Sequence, residues 1–183
     1  MGRMFGFAYG EKENGAVFSH MTVMYANALY QRGFVRAGYK ALQTLADAAL
    51  HYEKSRIFPG VPEYFNSKGR GLYHYLTGAA SWYELTMVTQ VFGVRGEMGA
   101  LCLEPKLVPE QFDQDGKATI SLMFQGKQLQ VTYCNTQKKE EYSIASVVCN
   151  GKSIGQIAGK KCVIPQADFM SQDQVVELQV ELG

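Results

Sequence analysis

Apolar and polar positions follow a helical period in the first half of the chain, up to about Gly99. One segment begins after His20, carries apolar residues on overlapping faces and stops near Gly33. A second lies within residues 34–52, where leucine and alanine recur at helical spacing as one apolar stripe. A third runs through residues 79–92. The pattern therefore predicts three amphipathic helices.

Two features surround the third predicted helix. Ser81 and Glu84 match the S-x-x-E capping box, in which each side chain bonds the other residue's backbone N–H. The preceding stretch, residues 55–76, is irregular and rich in glycine, proline and aromatic residues. A connection of this length inside a compact domain is uncommon and usually functional, so we expect it to line a site.

The second half of the chain changes to a period of two, which predicts strands. Apolar residues alternate with polar ones in three places: at Ile120, Leu122 and Phe124; at Leu129, Val131 and Tyr133; and at Val176, Leu178, Val180 and Leu182. Gln125-Gly126 and Asn150-Gly151 are hairpin signals. Each of these strands has one solvent-exposed face and one buried face, which predicts a small antiparallel β-sandwich. The pattern changes near residues 96–109, so we expect a helical module followed by a β module.

Composition and charge narrow the classes of function. Of 183 residues, 46% are hydrophobic and 19% charged, with a formal net charge of +1, so the chain has the composition of a folded protein. Lysine and arginine are scattered rather than clustered, which argues against a nucleic-acid binder. No apolar run reaches the roughly 18 residues of a membrane helix.

The four cysteines have no C-x-x-C spacing and no nearby histidine, so reduced thiols in a reducing compartment are expected and a cytoplasmic location follows. A zinc site is disfavoured. The chain also lacks the P-loop, H-E-x-x-H and G-x-S-x-G motifs.

Thr77 and Gly78, directly before the third predicted helix, form the most informative local feature. A helix N-terminus favours an anion, Thr77 adds a hydroxyl, and Gly78 allows close approach of the backbone. The alternative is that Thr77 or Ser81 only caps the helix. His20 begins another helix, where it either donates to phosphate or is a core histidine. Glu63 lies among aromatic residues and either contacts sugar or is a turn carboxylate.

Four motifs, taken in order, resemble the end of the cellobiose phosphorylase family, glycoside hydrolase family 94. They are N-G-A-V-F-S-H (14–20), P-E-Y-F-N (62–66), Y-L-T-G-A-A-S-W (75–82) and F-G-V-R-G-E-M-G-A-L-C-L-E-P-K-L (92–107). The resemblance is strongest over residues 10–107 and weaker through the β module. Each motif alone is only weakly specific for the family. The resemblance is specific because all four occur in the family's order and with similar spacing.

The resemblance implies an α+β fold, in which residues 1–98 are the last helices of an (α/α)6 catalytic barrel and residues 99–183 a C-terminal antiparallel β-sandwich. It implies that His20, Thr77 and Gly78 bind the attacking phosphate. It also places Glu63 in a loop near the acceptor sugar, as a substrate-binding residue.

The implied chemistry is inverting phosphorolysis of a β-linked glucose disaccharide or oligosaccharide to a sugar 1-phosphate, with inorganic phosphate as co-substrate and no other cofactor. A carboxylic acid protonates the leaving oxygen while phosphate attacks from the opposite face. In the family that Asp lies upstream of the matched region, so we expect this chain alone to be inactive.

Two further expectations concern the chain as a unit. If it is the tail of a larger enzyme, its helix faces are exposed and it self-associates through them. The alternative functions are a non-catalytic carbohydrate-binding module built on the β half, or a purely structural domain. The expected partners are a β-linked oligosaccharide and phosphate, without nucleic acid or membrane.

Overall fold

The computed structural model describes residues 3–58, 60–74 and 78–183, which contain five α-helices and twelve strands in three sheets. The chain divides into two units, Met1–Met87 and Val88–Gly183. That residues 1–98 and 99–183 form separate domains, as the sequence predicts, stays a prediction.

Helices build most of the first unit. They are α1 (Ser19–Gln31), α2 (Val35–Leu50), α3 (Tyr52–Ser55) and α4 (Gly78–Thr86), which continues into a π-helical turn at Met87–Val91. The three helices predicted from periodicity are confirmed in position. Their buried side chains form the core between α1 and α2: Val23, Ala26, Tyr30, Leu42, Leu45 and Ala49. A buried hydrogen bond from Asn27 to Thr86 (3.0 Å) connects α1 to α4.

The predicted irregular stretch contains short regular pieces. Strands β1 (Val17–Phe18), β2 (Tyr64–Phe65) and β3 (Gly71–Leu72) form a three-stranded antiparallel sheet in the order β1-β2-β3. This small sheet holds the middle of the stretch against the beginning of α1.

The second unit consists mainly of strands: β4 (Val94–Glu97), β5 (Ala100–Leu103), β6 (Lys117–Phe124), β7 (Lys127–Cys134), β8 (Ile144–Cys149), β9 (Lys152–Ser153), β10 (Gln156–Ala158), β11 (Lys161–Ile164) and β12 (Val175–Leu182), with helix α5 (Gln166–Met170). They form a four-stranded sheet, β10-β11-β5-β4, and a five-stranded sheet, β6-β7-β12-β8-β9.

Both predicted hairpin turns are confirmed. Phe124 pairs with Lys127 across Gln125-Gly126, and Cys149 pairs with Lys152 across Asn150-Gly151. Both residues of each turn have positive φ, between 47° and 79°. That backbone matches the twist of the adjoining strands, and it is most accessible to glycine and asparagine.

The predicted fold class is wrong. The described residues contain five α-helices, of which three have seven or more residues, and these do not form an (α/α)6 barrel. The other regular elements of the described residues include twelve strands in three sheets. The larger sheet is also not purely antiparallel, because β12 runs parallel to β7 while it is antiparallel to β8. After β9 the chain leaves this sheet through β10, β11 and α5, and it returns as β12 between β7 and β8. Alternation along a strand cannot predict this crossover.

Candidate functional site

The beginning of α1 is held in place by the backbone of Glu63. The amide of Ser19 donates to the carbonyl of Glu63 (2.9 Å), and the amide of Glu63 donates to the carbonyl of Tyr73 (2.9 Å). One residue earlier, Phe18 of β1 pairs with Tyr64 of β2. Three separate segments therefore meet where α1 begins, and this arrangement orients the next residue, His20.

The imidazole of His20 lies directly against Gly78, the first residue of α4. A Cβ at position 78 would be 2.6 Å from Cε1 and 2.8 Å from Nδ1 of His20, closer than such atoms approach in proteins. Trp82, four residues along α4, packs on the same imidazole with ring centroids 5.8 Å apart. A side chain at position 78 would therefore force the imidazole of His20 to move. The structure brings these two predicted residues together.

Two buried polar atoms at this point have no hydrogen-bond partner among the described residues. They are Nε2 of His20 and Oγ of Ser19, and Ser19 has no exposed surface. Buried polar groups are nearly always hydrogen-bonded, because an unpaired one loses its water without compensation. The hydrogen-bonding capacity of both atoms is therefore unused in this structure, and a histidine N–H or a serine hydroxyl is a donor that suits an anion.

The sequence predicted roles for Thr77, Gly78 and Ser81 around the start of α4, and the structure bears on two of the three. Thr77 lies outside the described residues. Gly78 begins α4, at the end of the helix where the helix dipole favours negative charge. The predicted capping box is wrong, since Ser81 Oγ donates back to the carbonyl of Gly78 (3.2 Å) and lies inside the helix.

Glu63 lies beside a group of aromatic and charged side chains. The Lys12 ammonium is 4.5 Å from the centre of the Tyr73 ring, and the Tyr73 hydroxyl, with smaller effects from nearby carboxylates including Glu63, raises the pKa of Lys12. Burial, and then a hydrogen bond to Glu11 (3.1 Å), raise the pKa of Tyr64 to about 12, with a smaller contribution from Glu63. Aromatic faces beside carboxylates are the groups that bind sugar rings and their hydroxyls.

Sequence reasoning missed Ser19 and Trp82 as members of this site. The signal for Trp82 was its spacing: residues i and i+4 share a helix face, so Trp82 accompanies Gly78. For Ser19, adjacency to His20 gave no signal, since only the tertiary structure shows that its hydroxyl is fully buried without a partner.

Among the described residues, no group of three or more histidine, cysteine or acidic side chains could hold a metal ion. The same part of the chain contains no helix long and apolar enough to cross a membrane. Comparison of the sequence with known family models and with curated proteins finds no match. The resemblance to glycoside phosphorylases therefore depends on the four motifs alone.

Proposed function

We propose that this chain supplies the phosphate-binding residues of an inverting glycoside phosphorylase, with His20, Thr77 and Gly78 as phosphate contacts. The observation that carries the proposal is the contact of His20 with Gly78 at the start of α4, combined with the unpaired buried Nε2 of His20. An imidazole N–H and the backbone amides at a helix N-terminus are both donors to an oxyanion, and the helix dipole adds to the attraction.

The chemistry assigns the chain a positioning role. Phosphate is already an anionic nucleophile, so it attacks the anomeric carbon directly, while a carboxylic acid protonates the oxygen that leaves from the opposite face. The resemblance assigns that acid to no residue of this chain. We therefore propose phosphate binding here, and phosphorolysis of a β-linked glucose oligosaccharide only where another region supplies the acid. Glu63 would contact the sugar.

The cytoplasmic location belongs to the same proposal. All four cysteines are free and buried, as is usual for proteins of a reducing compartment.

The test is thermal unfolding with and without 10 mM phosphate, at ionic strength matched with chloride. Binding to the folded state raises the unfolding temperature. We expect a rise in the wild type that is lost in Thr77→Ala and His20→Gln and kept in the matched controls Thr136→Ala and His51→Gln, both at exposed positions. A rise of equal size in all five proteins, or in none, contradicts phosphate binding at this site. Sugar 1-phosphate formation by the chain alone would contradict the positioning role.

One observation favours a second candidate, a carbohydrate-binding module. The polar face of the five-stranded sheet carries a groove of about 360 Å³, lined in part by Gln130, Thr132, Glu177 and Gln179. Amides, hydroxyls and carboxylates are suitable partners for sugar hydroxyls. Calorimetry with a cello-oligosaccharide separates the candidates, because binding lost in Gln179→Ala supports the module and binding lost in Glu63→Ala supports the first site.

A further inference from the structure

A second feature of the first unit lies apart from His20 and Gly78. A groove of about 730 Å³ runs along α2, bounded by the beginning of α1 on one side and by residues 65–69 on the other. Its apolar walls include Val17 and Tyr25, which are 55% and 60% exposed. A surface of this kind is normally covered by a partner.

Small side chains form the floor of the groove. Ala37, Ala41, Thr44 and Ala48 all line it, and they follow one another at intervals of three or four residues. That spacing puts them on one face of α2 over about three turns. Small residues along a helix face let the backbone of another helix approach closely, so the floor is shaped for an α-helix.

The charged side chains that line the groove are all positive. The charged side chains that line it are Lys40, Lys54 and Lys68, all exposed. Within residues 3–58, 60–74 and 78–183, none of the three ammonium groups has a salt-bridge partner. The groove thus presents three uncompensated positive charges around an apolar floor.

Local structure fixes the side-chain stem of Lys54 and the backbone of Lys68. A Cβ at Gly69 would be 2.7 Å from Cε of Lys54, so the Lys54 stem lies flat on that glycine. Lys68 lies in a tight turn in which the Asn66 side chain accepts from the amides of Lys68 (3.0 Å) and Arg70 (3.1 Å). The stem of Lys54 and the backbone that carries Lys68 are therefore positioned before a partner arrives, which reduces the entropy lost on binding.

We propose that this groove binds an amphipathic α-helix of another protein, whose apolar face lies on α2 and whose edges carry aspartate or glutamate. The pattern is a helix in a groove, with charge complementarity at the rim. A second copy of this chain fits poorly. The longest described helices are α1, which has no acidic residue, and α2, whose single carboxylate, Asp47, accepts a hydrogen bond from Gln43.

The experiment selects the ligand without assuming its identity. A display library of helical peptides, randomised at the apolar positions and at both edges, is selected on the full-length wild-type chain. The affinity of the enriched peptides is then measured by fluorescence anisotropy at 50 and 500 mM salt. Ala41→Trp fills the groove at its floor with a large side chain. The triple variant Lys40→Glu/Lys54→Glu/Lys68→Glu reverses the charge at the rim of the groove.

The controls are matched to each variant. Ala28→Trp places the same ring at an exposed position of α1 outside the groove, and Lys138→Glu/Lys139→Glu/Lys152→Glu reverses three exposed lysines of the second unit. Thermal unfolding confirms that every variant is folded.

We expect enriched peptides to carry acidic edges. Their affinity should fall at least tenfold in both groove variants, fall at high salt, and stay unchanged in both controls. The proposal is overturned by peptides that lack acidic edges, by equal binding to Ala41→Trp, or by the absence of enrichment. It is also overturned if the wild type instead forms a dimer that Ala41→Trp abolishes, or if phosphatidylserine vesicles bind at the groove and helical peptides do not.

Discussion

Asn27 of α1 donates a hydrogen bond of 3.0 Å to Thr86 of α4, and both side chains are buried. Because α1 carries His20 and α4 begins at Gly78, this pair helps to hold together the two helices whose first residues form the candidate phosphate site.

Removal of the Thr86 hydroxyl should destabilise the first unit. Thr86→Val keeps the shape of the side chain but leaves the Asn27 amide without this acceptor, so we expect a loss of about 1–3 kcal/mol in the free energy of unfolding, measured in urea. Thr136→Val, at an exposed position, is the control. Because Asn27 and Thr86 are in contact, the double variant Asn27→Leu/Thr86→Val should cost less than the sum of the single changes. Strict additivity would contradict the pairing.

Replacement of Gly78 by alanine should lower the free energy of unfolding only when His20 is present. Gly78 lies against the imidazole, so a Cβ forces the ring to move, and we expect Gly78→Ala to cost about 1–3 kcal/mol. In a His20→Ala background the space is free and the cost should disappear. Urea unfolding of the four proteins measures the difference. The same cost in both backgrounds would show that His20 does not explain the glycine.

Lys127 should be a strong determinant of stability in the second unit. It is 8% exposed, and its ammonium donates to the backbone carbonyls of Met170 (2.9 Å), Gln172 and Asp173 (3.3 Å), at the C-terminal end of α5 and just beyond it. Lys127→Met keeps the apolar stem and removes every donor.

We expect Lys127→Met to lower the free energy of unfolding by about 1.5–3 kcal/mol, since hydrogen bonds to charged groups are the stronger ones. The exposed Lys152 provides the control, Lys152→Met. Equal stability of the two variants in urea would contradict the role of Lys127.

Tyr64 should make the chain less stable at high pH. Burial and the Glu11 hydrogen bond raise its pKa to about 12 in the folded state, above the ordinary tyrosine value of 10. Between these two values the unfolded chain has lost the proton and the folded chain still holds it. This contribution to stability is therefore complete below about pH 10 and is lost progressively as the pH rises to about 12.

The measurement compares wild type with Tyr64→Phe. The wild-type absorbance titration at 295 nm should contain one additional tyrosine that ionises near pH 12, and the fall in stability above pH 10 should be less steep in Tyr64→Phe. A difference titration centred near pH 10 would show that Tyr64 is not shielded.

Local features could be predicted where they depend only on the residues of a short segment. Gln125-Gly126 and Asn150-Gly151 were identified as hairpin turns because glycine and asparagine tolerate the positive φ that such turns need. Leu129, Val131 and Tyr133 were assigned to a buried strand face, and all three are fully buried. The prediction of an (α/α)6 barrel was wrong because it came from the resemblance alone. No local sequence pattern indicates how helices arrange into a barrel.

The candidate site was only partly predictable. His20 and Gly78 were chosen from motifs, but their contact, and the unpaired hydroxyl of Ser19, appear only in the folded chain. The groove along α2 was missed for the same reason, since its walls come from segments that are separate in sequence.

The sequence by itself determined the period of each segment, the hairpin turns and the approximate positions of the three longer helices. These depend on φ and ψ preferences and on side-chain spacing within a few residues. Only the tertiary structure decided that β12 lies between β7 and β8, parallel to one and antiparallel to the other, and that His20 meets Gly78. The physical reason is that an alternating strand buries the same face in either direction, so its partner is chosen by the free energy summed over contacts between distant segments.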